Sequence, residues 1–179
     1  MRGTLTGDFG GLERFAKKIE KLSSPTALTS LSRALADEAL NLALDGFSKE
    51  QDPFGRPWFP KRYPDGRKIL RGATGQLGRS FFKAAVSADG FTIGNKARHA
   101  PFVQKGTGIY GPKHKPIVPK AGKALRFRGP NGKFMFRKSS DGSPPRPILP
   151  TSGKLPPAWN VALNKRAVAF LKKRLGRSG

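Results

Sequence analysis

Charge is divided so unevenly along this chain that it limits how the chain can pack. Residues 1–52 carry seven Lys/Arg and eight acids, a net charge of −1, whereas residues 53–179 carry the other 28 Lys/Arg and three acids, a net charge of +25. Like charge at this density repels itself unless a polyanion or an acidic neighbouring protein compensates it. The sequence therefore predicts a strongly anionic partner.

The length of the chain, 179 residues, suits one domain, so we expect a single domain over 1–179. Apolar residues make up 36%, with 22 Gly and 16 Pro, which predicts a modest core with long irregular arms. Without cysteine, neither a disulfide nor a thiolate metal site can form. No apolar stretch approaches the ~20 residues that span a bilayer, so we expect a soluble protein made in the cytoplasm without membrane contact.

Helices are predicted at both ends of the chain. Residues 12–22 show helical apolar spacing, within an N-terminal helical segment of about residues 1–25. A longer helix over 26–49 can be capped by Ser24 or Thr26. Its predicted apolar stripe is Leu28, Leu31, Leu35, Ala39 and Leu42. Pro157 opens a last helix to about residue 175. The stripe predicted to be buried there is Trp159, Leu163, Ala167, Phe170 and Leu171.

Between these helices, prolines and glycines restrict the chain to loops and short elements. Residues 50–72 predict an ordered loop pinned by aromatic side chains, which we interpret as core or interface plugs in preference to base-stacking platforms. They are Phe54, Trp58, Phe59 and Tyr63. A short helix or turn is expected over 74–82, and residues 83–95 predict a hairpin turning at Asp89-Gly90.

A basic arm and a second hairpin are predicted over about 107–140. Residues 107–123 lack periodicity, so we expect an exposed arm that is mobile in the free subunit. Apolar and cationic residues then alternate over 125–128 and 133–137, which predicts a hairpin with one apolar and one mostly cationic face. The predicted fold class is α+β, with N-terminal helices and a C-terminal helix packed on a small antiparallel β-sheet with long Pro/Gly-rich loops.

No arrangement of residues typical of catalysis is recognisable. The basic region holds three isolated acids and two histidines, without the converging ligands that a metal needs. Glycine-rich segments at 72–75 and 106–108 lack the Gly-Lys-Ser/Thr ending of a nucleotide-binding loop. We therefore expect a protein that is not an enzyme and uses no metal or cofactor.

Surface charge is the remaining chemistry. The candidate contacts for DNA or for an acidic partner are Lys113, Lys115, Lys120, Lys123, Arg126, Arg128, Lys133, Arg137 and Lys138. Such a set can neutralise phosphates without reading bases. Two other interpretations stay open, namely a solvated basic face that keeps the chain soluble and a face that docks on an acidic ring of a partner protein.

The order of several short motifs resembles the tail-completion, or virion morphogenesis, proteins of tailed bacteriophages, including those of Mu-like phages. The resemblance covers roughly residues 26–176. Its motifs are Arg56-Pro57-Trp58, residues 69–77 (ILRGATGQL), Phe91-Thr92-Ile93-Gly94, residues 99–107 (HAPFVQKGT) and Pro145-Arg146-Pro147-Ile148-Leu149. The chain departs from the family pattern in a longer, more basic insertion at about 109–138 and in Pro150.

This resemblance implies a structural subunit of the virion neck that is assembled in the host cytoplasm. Six copies are expected to form a ring between the head connector and the tail tube, where the ring ends tail growth and contacts both proteins. The cationic hairpin face would line the lumen, in non-specific contact with genome DNA, or clasp a neighbouring subunit. Interface or loop-anchor roles are expected for Phe54, Trp58, Phe59, Tyr63, Phe102, Ile148 and Leu149.

Two alternatives to this tail-side role stay open. One is a sequence-independent architectural DNA-binding protein, which would bind duplex DNA as a monomer with strong salt dependence. The other is a connector or adaptor subunit on the head side of the neck. Sequence does not separate a head-side ring subunit from a tail-side one, because both are small α+β proteins.

Overall fold

The structure is a computed structural model that describes residues 17, 19–62, 64, 66–72, 74–129, 133–150, 153 and 155–176. Its elements, in chain order, are α1 (Pro25–Lys49), α2 (Gln76–Arg79), β1 (Phe81–Val86), β2 (Phe91–Asn95), α3 (Ala100–Lys105), a 3-10 helix (Gly108–Tyr110), β3 (Leu125–Arg128), β4 (Phe134–Arg137) and α4 (Pro157–Gly176). The predicted α+β class is confirmed. The strands form two separate two-stranded sheets, β1–β2 and β3–β4, where one small sheet was expected.

Helix α1 begins where the sequence supplies both a cap and a proline. The Ser24 hydroxyl accepts a hydrogen bond from the Ala27 N–H at 3.3 Å, and Pro25 occupies the first turn, where a missing N–H costs no helical bond. The helix ends at Lys49, and the backbone of the capping residue Glu50 is left-handed (φ 56°). The prediction of a helix over 26–49 is thus confirmed. Of the predicted helix at 12–22, residues 19–22 are helical, and residues 12–16 and 18 lie outside the described part.

The buried face of α1 differs from the predicted leucine stripe. The buried residues are Ala27, Ser32, Ala36, Ala39 and Ala43, whereas Leu28, Leu31, Leu35 and Leu42 are half-buried. Small side chains spaced three and four residues apart allow β1, β2 and α4 to approach the helix closely. Ala39 of the predicted stripe is buried as expected, whereas the four leucines flank the seam and were predicted about one position away from the buried residues.

Hairpin β1–β2 forms at the predicted turn. The Ser87 N–H donates to the Gly90 carbonyl at 2.8 Å, and Gly90 takes a positive φ of 153°, where only glycine is unstrained. Phe81 and Phe82 belong to β1, which corrects the expected helix or turn over 74–82, because α2 covers only Gln76–Arg79.

Two connected core clusters hold the molecule together. The first contains Trp58, Leu77, Ala97, Ala100 and Ile148. The second contains Ala39, Ala43 and Trp159. Half-buried Phe81 and Leu149 pack against both clusters and so join them. We call these two clusters, with the segments that supply them, the scaffold.

Helix α4 begins at Pro157 as predicted and docks through its first turns. Trp159 is buried, while the rest of the predicted stripe is only half-buried. Val161 and Val168 are exposed. None of the helices that the structure describes is long and apolar enough to cross a membrane.

Candidate interaction surface

Backbone hydrogen bonds close the base of the basic arm. The Thr107 N–H donates to the Ser143 carbonyl at 2.9 Å, and the Thr107 hydroxyl accepts from the Ser143 N–H at 2.9 Å. The Ile109 N–H donates to the Asp141 carbonyl, also at 2.9 Å. These three bonds bring the two ends of the segment 107–143 together. We call this arrangement the clamp.

Two glycines make the clamp possible. Gly108 has a φ of +65°, and a Cβ built on it would lie 2.1 Å from the Asp141 carbonyl oxygen. Gly142 has a φ of +86°, and its Cβ would lie 2.2 Å from the Thr107 carbonyl oxygen. Real Cβ atoms do not approach backbone so closely, so any side chain at either position would push the two segments apart.

Beyond the clamp the arm is exposed, as predicted. Residues 112–118 are all exposed, and a pair of hydrogen bonds joins Ile117 to Ser140 at 2.8 and 2.9 Å. The sequence pattern did not predict that the arm would be tied at two places, near 107–109 and at 117. Mobility of the free arm stays a prediction.

The register of hairpin β3–β4 overturns the prediction of one apolar and one cationic face. Arg126 lies opposite Phe136, and Phe127 lies opposite Met135. Directly opposed residues of an antiparallel pair share a face. Arg126 therefore shares its face with Phe134 and Phe136, while the other face carries Leu125, Phe127, Met135 and Arg137. Alternation was correct within each strand, but the pairing places the cation of one strand beside the aromatics of the other.

The two faces of the hairpin differ in exposure as well as in composition. Leu125, Phe127 and Met135 are half-buried. Phe134 and Phe136 are 55% and 66% exposed, and the guanidinium carbon of Arg126 lies 4.5 Å from the centroid of the Phe134 ring. We call Arg126, Phe134 and Phe136 the cation–aromatic face.

The predicted basic contacts are exposed. These are Lys113, Lys115, Lys120, Lys123, Arg126, Lys133, Arg137 and Lys138. The side chain of the ninth, Arg128, lies outside the described part of the chain, as do residues 130–132 of the turn. Among described residues, none of the eight forms an ion pair. The structure does not gather them into one patch, because they follow the arm and both hairpin faces.

The predicted aromatic and aliphatic anchors divide into two groups. Trp58 and Ile148 are buried, and half-buried Leu149 packs against both core clusters, so these three hold the scaffold. Phe54, Phe59 and Phe102 are exposed, which excludes a core role for them within a single subunit. Tyr63 lies outside the described residues.

Trp58 is fixed by its ring and by its indole N–H. It packs edge-on against Phe47 with centroids 5.3 Å apart, and its Nε1–H donates to the Pro147 carbonyl at 2.9 Å. This bond ties the Pro-rich loop at 51–58 to the segment 145–149. The core-plug interpretation is therefore confirmed for Trp58.

Two polar residues that the sequence analysis missed hold the same region. Gln104 donates through its amide nitrogen to the Leu149 carbonyl at 2.6 Å and accepts from the Ile148 and Leu149 N–H groups at 2.8 and 3.1 Å. Arg146 donates to the Phe59 and Pro60 carbonyls at 2.8 and 2.9 Å, and partial burial lowers its pKa from the ordinary arginine value. The sequence around Arg146 gave no signal for these bonds, because the carbonyls that accept them lie 86 and 87 residues away. The sequence around Gln104 likewise gave no signal for its bonds to Ile148 and Leu149.

No cluster of three or more His, Asp or Glu residues suitable for a metal occurs among the described residues. Comparison of the chain with protein-family models, with curated proteins and with solved structures finds no match. Any account of function therefore rests on the residues and their geometry.

Proposed function

We propose that this protein is a structural subunit of a bacteriophage neck, a tail-completion ring component that joins the tail to the head connector. The observation that carries the proposal is the meeting of all five motif segments in the scaffold. Trp58, Leu77, Ala100 and Ile148 come from four different motifs and pack in the first cluster. The fifth motif, 91–94, supplies side chains that pack against the second cluster.

This convergence joins segments that lie far apart in the chain. The motifs are spread over residues 56–149, and their apolar side chains meet in two connected clusters. Gln104 and Arg146 add polar ties between the same segments. The motif segments thus belong to one packing unit, and this supports the proposal that they act together.

Exposed apolar side chains on the scaffold support assembly into a ring. Phe102 on α3 is 62% exposed, and Phe59 and Val161 are also exposed. Large apolar side chains of this kind are common where copies of a chain meet. Six copies remain the expected number.

The charge of the chain supports a position around DNA. Each copy brings a net charge of +24, so closing a ring concentrates like charge that only an anionic partner relieves. A genome passing through the lumen supplies phosphates at that place.

Phage particles assembled without the protein test this function. Lysates that lack it should contain separate heads and tails by electron microscopy, and supplying the protein in trans should restore joined, infectious particles. Joined infectious particles in its absence would contradict the proposal. A density map of the neck would then distinguish a tail-side from a head-side position.

An architectural DNA-binding protein is the second candidate function, and it is favoured by the eight exposed cations, which form no ion pair with the residues that the structure describes. This candidate predicts a monomer that binds duplex DNA with a steep salt dependence, as expected when many phosphates are neutralised. Mass measurement in solution, with and without duplex DNA, separates the two functions. A ring that forms without DNA, or only on isolated tails, favours the neck subunit.

A further inference from the structure

The composition of the cation–aromatic face of β3–β4 suits the binding of a ligand better than packing against the rest of the chain. Phe134 and Phe136 are two residues apart on one strand, so both rings project from the same side. Arg126 covers Phe134, whereas Phe136 makes no ring contact among the described residues and is 66% exposed. Two exposed phenyl rings beside a guanidinium on so short a hairpin are costly to leave in water.

The hairpin depends little on the scaffold. In the described part of the chain, neither core cluster contains a residue of β3 or β4. Isolated two-stranded hairpins are marginally stable in water. Binding on the cation–aromatic face would therefore also stabilise the hairpin.

The charge around the hairpin indicates the chemical class of the ligand. From residue 90 to residue 140 the chain contains no Asp or Glu but twelve Lys/Arg. A ligand on this surface must supply negative charge repeatedly along its length, which a nucleic-acid backbone does.

The spacing of the Phe134 and Phe136 rings favours single-stranded over duplex nucleic acid. Residues two apart on a strand are separated by about 6.6 Å along it, roughly twice the 3.4 Å between stacked bases in a duplex. Bases within a duplex already stack on each other and do not present their faces to a side chain. Bases of a single strand can be splayed apart, and each can lie on an aromatic ring or on a guanidinium plane.

We propose that the cation–aromatic face binds single-stranded nucleic acid without sequence preference, with Phe136 and the Arg126–Phe134 pair as stacking platforms and the neighbouring lysines on the phosphates. Lys133 and Lys138 flank β4 and are exposed, which places cations at both ends of the platform. This binding activity does not depend on the neck function. It goes beyond the phosphate contact with duplex DNA that the basic charge alone suggests.

A second copy of the chain does not fit this face on grounds of charge. The carboxylates of Asp37, Asp45 and Asp52 already pair with cations of their own chain at 2.6, 2.6 and 2.9 Å. The ring proposed above closes through exposed apolar side chains of the scaffold, whereas the hairpin lies in a stretch, residues 90–140, that has twelve Lys/Arg and no acid to offer another copy of net charge +24. Binding of an acidic protein is the alternative that the polyglutamate comparison below tests.

Fluorescence anisotropy of the full chain with labelled oligothymidylate tests the proposal. The comparison ligands are a duplex of matched phosphate number and polyglutamate of matched charge, titrated at the same salt concentration. We expect oligothymidylate to bind at least several-fold more tightly than either. Tighter binding of the duplex, or equal binding of polyglutamate, would overturn the proposal.

Variants then separate stacking from charge. Phe136→Ala should weaken oligothymidylate binding about tenfold and leave duplex binding unchanged. Val168→Ala is the control, because Val168 is also exposed, at 50%, but lies on α4. Circular dichroism should show both variants folded, because neither side chain is in a core cluster. Equal affinity of the two variants for the single strand would contradict a stacking role.

Arg126→Lys keeps the charge and removes the guanidinium plane. It should weaken oligothymidylate binding with an unchanged salt dependence, whereas Lys133→Ala should reduce the salt dependence. If the Arg126→Lys variant binds as tightly as the original chain, the guanidinium is not a stacking platform and the proposal is contradicted.

A spectroscopic test does not depend on affinity. Phe136→Trp should retain binding, and the new indole fluorescence should be quenched when oligothymidylate stacks on it. Both tryptophans of the chain, Trp58 and Trp159, are buried, so their background signal should change little. Quenching that also occurs at Val168→Trp, or that is absent at Phe136→Trp, would contradict stacking at this site.

Discussion

A buried acid near the scaffold and the cations around the basic hairpin differ in whether they have partners within the described part of the chain. Near the scaffold, Asp52 is buried and accepts from the Phe54 and Arg56 N–H groups at 2.8 and 2.9 Å and from the Arg56 side chain at 2.9 Å. Around the hairpin, eight exposed cations form no ion pair among the described residues. Asp52 is thus satisfied within the chain, where it serves folding. We propose that the cations of the hairpin bind a partner, so mutations should divide into stability effects and binding effects.

The largest expected effect is on the scaffold side. Trp58→Ala should lower the free energy of unfolding by about 3–5 kcal/mol, because it removes a side chain that is only 6% exposed together with its bond to Pro147. Chemical denaturation followed by circular dichroism measures this. Trp58→Phe keeps a ring against Phe47 and should cost less. If Phe136→Ala destabilised the chain as much as Trp58→Ala, the division between scaffold and hairpin would fail.

The clamp joins the scaffold to the basic arm and hairpin, so a substitution there should have the next largest effect. Gly108→Ala puts a Cβ against the Asp141 carbonyl at a φ of +65° and should cost more than the roughly 1–2 kcal/mol of left-handed strain alone. The measurement is the rate of trypsin cleavage after Lys113, which should rise.

Gly122→Ala is the control for the clamp variant. Gly122 also has a positive φ, +98°, but a Cβ there meets nothing within 4 Å. Its rate of cleavage after Lys113 should match that of the original chain. Identical digestion of the two variants would show that the clamp does not hold the arm.

A smaller effect is expected at Gln104. Gln104→Ala leaves the Ile148 and Leu149 backbone groups without partners and should cost about 1–3 kcal/mol. Gln104→Glu keeps the two accepted bonds and loses only the donated one, so it should cost less. Hydrogen exchange at the Ile148 and Leu149 amides should accelerate most in the alanine variant. Unchanged exchange would mean that the Pro-rich segment is held without Gln104.

The smallest effect is expected at a surface ion pair of the scaffold. Asp37 and Lys83 lie 2.6 Å apart, but their side chains are 52% and 34% exposed, so solvent screens their attraction. A double-mutant cycle with Asp37→Asn and Lys83→Gln should give a coupling of about 0.5 kcal/mol or less. A coupling several times larger would show that scaffold ion pairs contribute to stability, not only to satisfying charge.

Local chemistry made much of the scaffold predictable. Ser24 and Pro25 define the start of α1, and Asp89-Gly90 defines a hairpin turn, because caps and turns involve residues close in sequence. Pro157 marked the start of α4 in the same way. Tertiary packing was less predictable. The alanine seam of α1 replaced the leucine stripe because the buried face depends on how closely β1, β2 and α4 approach.

Part of the candidate surface was also predictable. The basic residues were found from composition and are exposed. Their interpretation as one cationic hairpin face failed, since each strand shows its own alternation but not which residue of the other strand lies opposite. The clamp at Gly108 and Gly142 was equally hidden, because it joins residues 34 positions apart whose contact no local pattern encodes.

The sequence by itself determined the α+β class, the start of α1 and the concentration of positive charge after residue 52, since all three follow from composition and from neighbours along the chain. Only the tertiary structure decided that Arg126 lies beside Phe134 and Phe136, that five distant motifs share one scaffold and that two glycines close the arm. The physical reason is that register, core packing and close backbone approach each depend on the relative placement of segments far apart in sequence.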